Sequence, residues 1–249
     1  MIIYPEIELR KGCCVNLERG RMDAPVIYDV DPVEAARDFV AQGAEWLHVV
    51  DLDAVFNEGD NVALIEKIIG EVGDECSIQV GGAIRSMDKV HRWIDAGADR
   101  VVIATAAVKY PHFVKEAATA YPEQIVVSID ARGGKVVVEG WREATVFSPI
   151  DFARQFEDVS LAAIIFTDID RDENSPESSM SHTTELADKV KIPVIASGVV
   201  KSLDDISVLC LLRNISGAIT SRALFGGVFK LSEAINITKT PLEAVAPFL

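Results

Sequence analysis

Short apolar runs alternate with amphipathic stretches from one end of the chain to the other, a pattern that predicts eight strands each followed by a helix. The strands read Ile2–Leu9, Trp46–Asp51, Ile78–Val80, Arg100–Ile103, Ile125–Asp130, Ala162–Thr167, Val194–Ser197 and Gly217–Thr220. They are near-continuous apolar runs, which suits a parallel sheet covered on both faces. Helix starts are marked by Asp31-Pro32, a capping carboxylate before a proline, and by Ser202-Leu203-Asp204-Asp205, a cap with acids in the first turn. Gln42-Gly43 and Ala96-Gly97 read as helix C-termini that feed the next strand. No Pro/Ser-rich linker divides the chain, so the expectation is one α/β domain over residues 1–249, a (β/α)8 TIM barrel.

An internal repeat sharpens this reading. Val49-Val50-Asp51-Leu52-Asp53 recurs as Ile165-Phe166-Thr167-Asp168-Ile169-Asp170, and Gly82-Ala83-Ile84-Arg85-Ser86 as Gly198-Val199-Val200-Lys201-Ser202. Ala104-Thr105-Ala106 returns as Ser221-Arg222-Ala223. The offset stays near half the chain, as two (β/α)4 halves require, so paired loops face one another across the barrel mouth.

Composition narrows the function. A chain of 249 residues fits one complete barrel, and 49% hydrophobic residues with mean hydropathy +0.21 exclude a disordered chain. The apolar stretches are too short to cross a bilayer and no signal-like segment opens the sequence, so a soluble cytoplasmic protein is expected. A net charge of −15 argues against a nucleic-acid surface, and any anionic ligand must be held locally. Cys13, Cys14, Cys76 and Cys210 lack zinc or redox spacing and read as reduced structural thiols. Cys13 and Cys14 would point to opposite faces of a strand.

Active sites of such barrels lie where strands meet their following helices. Four groups sit there. Glu8 and Asp130 end strands one and five on opposite halves, and two carboxylates suit base and acid roles if their surroundings separate their pKa values; solvated rim charges or ion-pair members are the other reading. Gly81-Gly82 with Arg85, Ala104 and Thr105, and Ser197-Gly198 with Ser221 and Arg222, form two repeat-related clusters in which backbone N–H groups and helix N-termini can approach phosphates. Asp51, Thr167 and Asp168 end strands two and six; they orient a ribose or the carboxylates, or else they satisfy loop N–H groups. Arg132 and Trp141 flank a Gly133–Trp141 segment that reads as a hairpin or lid, with an exposed Trp able to stack on a ring or cover the rim. His48 lies inside strand two as a packed, hydrogen-bonded residue; His91, His112 and His182 fall on helices, and no triad or metal spacing emerges.

Glu45–Asp53, Gln79–Ser86, Asp130-Ala131-Arg132, Gly140-Trp141, Thr167-Asp168-Ile169 and Ile195–Gly198 together resemble the phosphoribosyl-formimino-aminoimidazole-carboxamide ribotide isomerase family of histidine biosynthesis, over nearly the whole chain. The resemblance implies an Amadori rearrangement of a substrate with a phosphate at each end, with no metal or organic cofactor. It implies that the strand-one carboxylate, Glu8, is the general base and that Asp130 is the general acid. It implies substrate and phosphate contacts for Gly81, Gly82, Arg85, Thr105, Trp141, Thr167, Asp168, Ser197, Gly198 and Arg222. A monomer fits because the two halves already complete the closed sheet, and charge and hydropathy point to no nucleic-acid or membrane partner.

The sequence departs from the family at Glu8, where Asp is usual, and at Ala83, Ala104, Val199 and Ser221, where Gly is usual. Arg222 stands for Lys, and Arg171–Ser175 is more acidic than its counterpart. Three readings follow: an active isomerase, a non-catalytic or regulatory barrel binding a phosphorylated ligand, and a related cyclase or phosphoribosyl isomerase. Gly140-Trp141 favours the isomerase branch over the cyclase.

Overall fold

The computed structural model describes residues 1–17, 24–169 and 176–239, with the side chains of 176–179 excepted. Asp170 and the acidic 171–175 loop lie outside the described residues. Eight parallel strands form the barrel: β1 (Ile2–Arg10), β2 (Trp46–Asp51), β3 (Ser77–Gly81), β4 (Arg100–Ile103), β5 (Ile125–Arg132), β6 (Ala163–Asp168), β7 (Val194–Ser197) and β8 (Ile215–Thr220). Each pairs with the next, and β8 pairs back onto β1, so the barrel has no open edge. The expected strands all form, within two residues at either end.

Around it run α1 (Pro32–Ala41), α2 (Val62–Val72), α3 (Met87–Asp95), α4 (Pro111–Ala120), α5 (Pro149–Arg154), α6 (Pro176–Lys189), α7 (Leu203–Leu211) and α8 (Leu231–Lys239). One-turn helices Leu52–Phe56, Thr105–Lys109 and Arg222–Phe225 follow β2, β4 and β8 at the mouth. The caps are those the sequence predicts. Asp31 accepts the Val33 and Glu34 N–H groups at 2.9 and 3.1 Å, and Ser202 with Asp205 closes a capping box on α7.

Strand alternation sorts the side chains into two cores. Ile3, Ile7 and Leu9 of β1 pack outward against Val33, Ala36 and Phe39 of α1 in the large core between sheet and helices. Tyr4 points inward with Val102, Val126, Ile165, Ile195 and Ile219 to fill the barrel floor. The same alternation puts Glu6 and Glu8 on the inner face, above Tyr4.

Two antiparallel additions dress the mouth. Past β1 the chain turns at Lys11 and Gly12, both with positive φ, into strand Cys13–Asn16, which pairs back onto β1. There Cys13 is half-buried and Cys14 fully buried, and all four cysteines are free. β5 runs beyond the barrel, turns at Gly133-Gly134 and returns as Lys135–Val138, to which Glu143–Ala144 adds a third strand. This flap is the expected hairpin. Among the described residues no helix is long and apolar enough to cross a membrane.

Candidate active site

A cavity of about 580 Å³ opens at the C-terminal ends of the strands, within the range of small-molecule sites. Glu8 and Asp130 both line it, together with Gly81, Gly82, Arg85, Thr105, Trp141, Thr167, Asp168, Ser197, Gly198 and Arg222. The twelve residues to which the resemblance assigns catalytic or substrate contacts therefore border one space, whereas Asp51 and Arg132 do not.

Burial pushes the Glu8 carboxyl up to about 7, against the opposing pull of a Leu17 backbone hydrogen bond, the Arg222 guanidinium and Asn16. Asn16 donates to Glu8 Oε2 at 3.2 Å and accepts from Arg222 Nε at 3.1 Å, bridging carboxyl and cation. Arg222 thus faces Glu8 as well as the second glycine cluster. Asp130 is also raised by burial, with hydrogen bonds from the Trp141 indole and the Thr167 hydroxyl opposing that rise. Thr167 is its register partner on β6.

Trp141 is half-buried rather than exposed. Its backbone is left-handed, with φ 67°, and Gly140 before it packs on Phe56, where a Cβ would meet Cε1 at 2.5 Å. The guanidinium of Arg142 lies 5.2 Å from the same ring. Gripped from both sides, the flap directs the indole down onto Asp130.

In the first glycine cluster Gly82 has φ +123°, and a Cβ there would lie 2.8 Å from Asp51 Cβ and from the Asp51 carbonyl oxygen, so only glycine fits. The neighbouring Ala83 is left-handed, with φ 50°. That conformation costs an L-residue about 1–2 kcal/mol. Ala83→Gly is expected to stabilise the protein by up to about 1 kcal/mol in urea unfolding after the entropy cost of glycine; a loss of stability would contradict a strained turn.

The flap reaches this cluster through Glu139. Its N–H donates to Thr105 Oγ1 at 3.0 Å, and its carboxylate meets Lys109 Nζ at 2.6 Å and Arg85 Nη2 at 3.9 Å. Lys109 holds the Glu139 carboxyl below the usual range. In the second cluster Gly198 is left-handed with φ 71°. Val199 is fully buried and does not border the cavity. The Ser221 hydroxyl is turned onto the Glu6 carbonyl at 3.2 Å. Two of the four side chains that replace family glycines are thus turned away or engaged, and the other two add a single methyl each.

Asp51 takes the structural alternative. It is 2% exposed; Oδ1 accepts from Ala54 N at 3.2 Å and Asn61 Nδ2 at 2.8 Å, and Oδ2 accepts from Asn61 N at 2.8 Å. Asp168 borders the cavity and lies 2.5 Å from His182 Nδ1 on α6. His182, which helix position alone leaves without a role, is therefore placed beside the site. His48 is packed as expected, 3.1 Å from Gln79 Nε2. Among the described residues no group of three or more His, Cys, Asp or Glu is arranged to hold a metal.

Sequence reasoning missed Glu6, Asn16, Lys109 and His182. For Glu6 the signal was present: it lies two residues before Glu8 on the same face of the same strand.

The family model described as histidine biosynthesis protein matches residues 2–230. A Ruegeria pomeroyi protein is 45% identical over 100% of both chains and is named 1-(5-phosphoribosyl)-5-(5-phosphoribosylamino)methylideneamino imidazole-4-carboxamide isomerase 2. Proteins of Paracoccus denitrificans and Rhizobium johnstonii, named as isomerases of the same compound, are each 45% identical, over 95% and 96% of this chain and 99% and 97% of their own.

Proposed function

The chain belongs to the histidine biosynthesis protein family, and from that premise we propose that it is the aldose–ketose isomerase that rearranges a phosphoribosyl aminoimidazole carboxamide carrying a phosphate at each end. The observation that carries this reading is one cavity holding two carboxyl groups from opposite barrel halves, Glu8 and Asp130, between two repeat-related glycine turns. Relatives named as isomerases along the whole chain leave the non-catalytic alternative without support.

The roles follow from the surroundings. Asp130, raised by burial and oriented by Trp141 and Thr167, gives its proton to the ribose ring oxygen and opens the ring to a Schiff base. Glu8, with its carboxyl near 7, is ionised in a large fraction of molecules at neutral pH and removes the C2′ proton to form the enolamine. Gly81, Gly82, Arg85 and Thr105 receive one phosphate, with Glu139 as the carboxylate that this phosphate displaces from Arg85 and Lys109. Ser197, Gly198 and Arg222 receive the other. Asp168 lies at the rim with His182, between the two ends.

We take residues 1–249 as one catalytic unit working as a monomer in the cytoplasm, since the barrel closes on itself and the cysteines are free. A charge of −15 supports a small-molecule partner rather than nucleic acid. Expression in a bacterium lacking its own copy of this isomerase should restore growth without histidine, and Asp130→Asn should not. Failure of the wild-type chain to restore growth, despite soluble expression, would count against the proposal.

A further inference from the structure

The roles above leave one buried ionisable side chain of the cavity unused. Glu6 lies on the inner face of β1, one step below Glu8, and its side chain is 18% exposed and borders the cavity. Its register partner on β2 is His48, whose partner on β3 is Gln79, whose partner on β4 is Arg100. These four side chains make a polar row across the first half of the barrel. The facing half presents Val126, Ala163, Ile165, Ile195 and Ile219. The row ends on Tyr4, whose hydroxyl lies 3.2 Å from Arg100 Nη1.

The groups around Glu6 do not favour a charge on it. From β1 it faces Glu8, from β2 His48, and across the lumen from β5 Asp130. Past β8 the Ser221 hydroxyl is bound to the Glu6 carbonyl, and the Arg222 guanidinium acts on Glu8. No described Lys or Arg forms an ion pair with Glu6, because His48 and Gln79 stand between it and Arg100. Burial lowers the His48 pKa to about 4, so the ring is neutral. With the Gln79 amide donating to Nδ1, the imidazole proton sits on Nε2, 3.7 Å from Glu6 Oε1. Burial first, then the charges of Glu8 and Asp130, raise the Glu6 carboxyl well above its ordinary value.

We infer that Glu6 is a third working carboxyl of this cavity, one that serves in its neutral form by donating a hydrogen bond to an oxygen of the phosphoribosyl substrate. A protonated carboxylic acid held beside an ionised one can donate a hydrogen bond that the ionised one cannot. Its ionisation adds a second loss of turnover at alkaline pH to the one that follows from the Asp130 proton. It removes the donor and adds a negative charge to a cavity that must take a doubly phosphorylated anion. The substrate in this inference is the one proposed above, whereas the protonation state of Glu6 stands on the unliganded cavity alone.

The test pairs kinetics with a measurement that needs no substrate. Steady-state kcat and KM are followed from neutral to strongly alkaline pH for wild type, Glu6→Gln and Glu6→Ala, and the Glu6 carboxyl carbon is titrated by NMR in the unliganded protein. Wild type should lose kcat/KM on the alkaline side as the Glu6 resonance titrates. Glu6→Gln, which keeps a donor and cannot ionise, should show a smaller alkaline decline than wild type, whereas Glu6→Ala should lose kcat/KM about tenfold or more at neutral pH. A Glu6 resonance already ionised at neutral pH, or a Glu6→Gln profile that superimposes on wild type, overturns the inference. A protonated Glu6 in a protein with no isomerase turnover would uphold the state of the carboxyl and fault the reaction assigned to the cavity.

Discussion

Asp130→Asn is expected to lower kcat by about 10³-fold while KM stays within a few-fold of wild type. Asparagine matches the carboxyl in shape and keeps an acceptor oxygen beside the Trp141 indole and the Thr167 hydroxyl, so the flap and β6 keep their places. What disappears is the proton that the proposed reaction gives to the ring oxygen. Loss confined to kcat would identify a group acting in the transition state. A drop below tenfold, or a loss carried wholly in KM, would place the acid elsewhere.

Glu8→Gln should abolish turnover to a similar extent and make the protein more stable. The Glu8 carboxyl is raised from 4.5 to about 7, chiefly by burial. A carboxyl raised on folding contributes stability that is present below its unfolded pKa and is lost as pH rises through the folded one. Wild type should therefore weaken between about pH 4.5 and about pH 7, by about 3 kcal/mol in total, and stay weakened above that. Glutamine has no such penalty. Urea unfolding at acidic and alkaline pH should show the two proteins alike below the window and Glu8→Gln the more stable by about 3 kcal/mol above it. An active base held against its preferred state is the usual conflict between stability and function. Equal stability of the two proteins at alkaline pH would mean that Glu8 is solvated and ordinary.

Much of this was legible in the chain. The near-continuous apolar runs locate all eight strands, because a strand covered on both faces has no polar alternation to confuse it, and the repeat brings the strand-end residues to one rim. Gly133-Gly134 marks the flap, since the two left-handed positions of that turn favour glycine.

The rest depended on contacts distant in sequence. Asp51 read equally as a site residue or a loop cap, and the choice is made by Asn61, whose amide and side chain both donate to it. Trp141 sits above an acid rather than in solvent because Gly140 leaves room for Phe56 beneath the flap. His182 reaches Asp168 only once α6 folds back over β6. Glu6 belongs to a different class: strand alternation places it beside Glu8 on the inner face, and what the strand-end rule overlooks is a polar residue one layer down.

The family's usual glycines at Ala83, Ala104, Val199 and Ser221 mark where the sequence alone raises a question that the geometry then answers. Val199 faces the outer core and Ser221 spends its hydroxyl on β1. Only Ala83 carries a backbone strain of the kind glycine avoids. The remaining cavity still matches the volume of a small-molecule site.

The central claim is tested most directly by incubating the purified protein with the bis-phosphorylated aminoaldose substrate and following its conversion to the aminoketose spectroscopically, beside Asp130→Asn. Sustained turnover by wild type that Asp130→Asn abolishes is the predicted result. A folded wild-type protein that binds the substrate and leaves it unchanged would contradict the assignment.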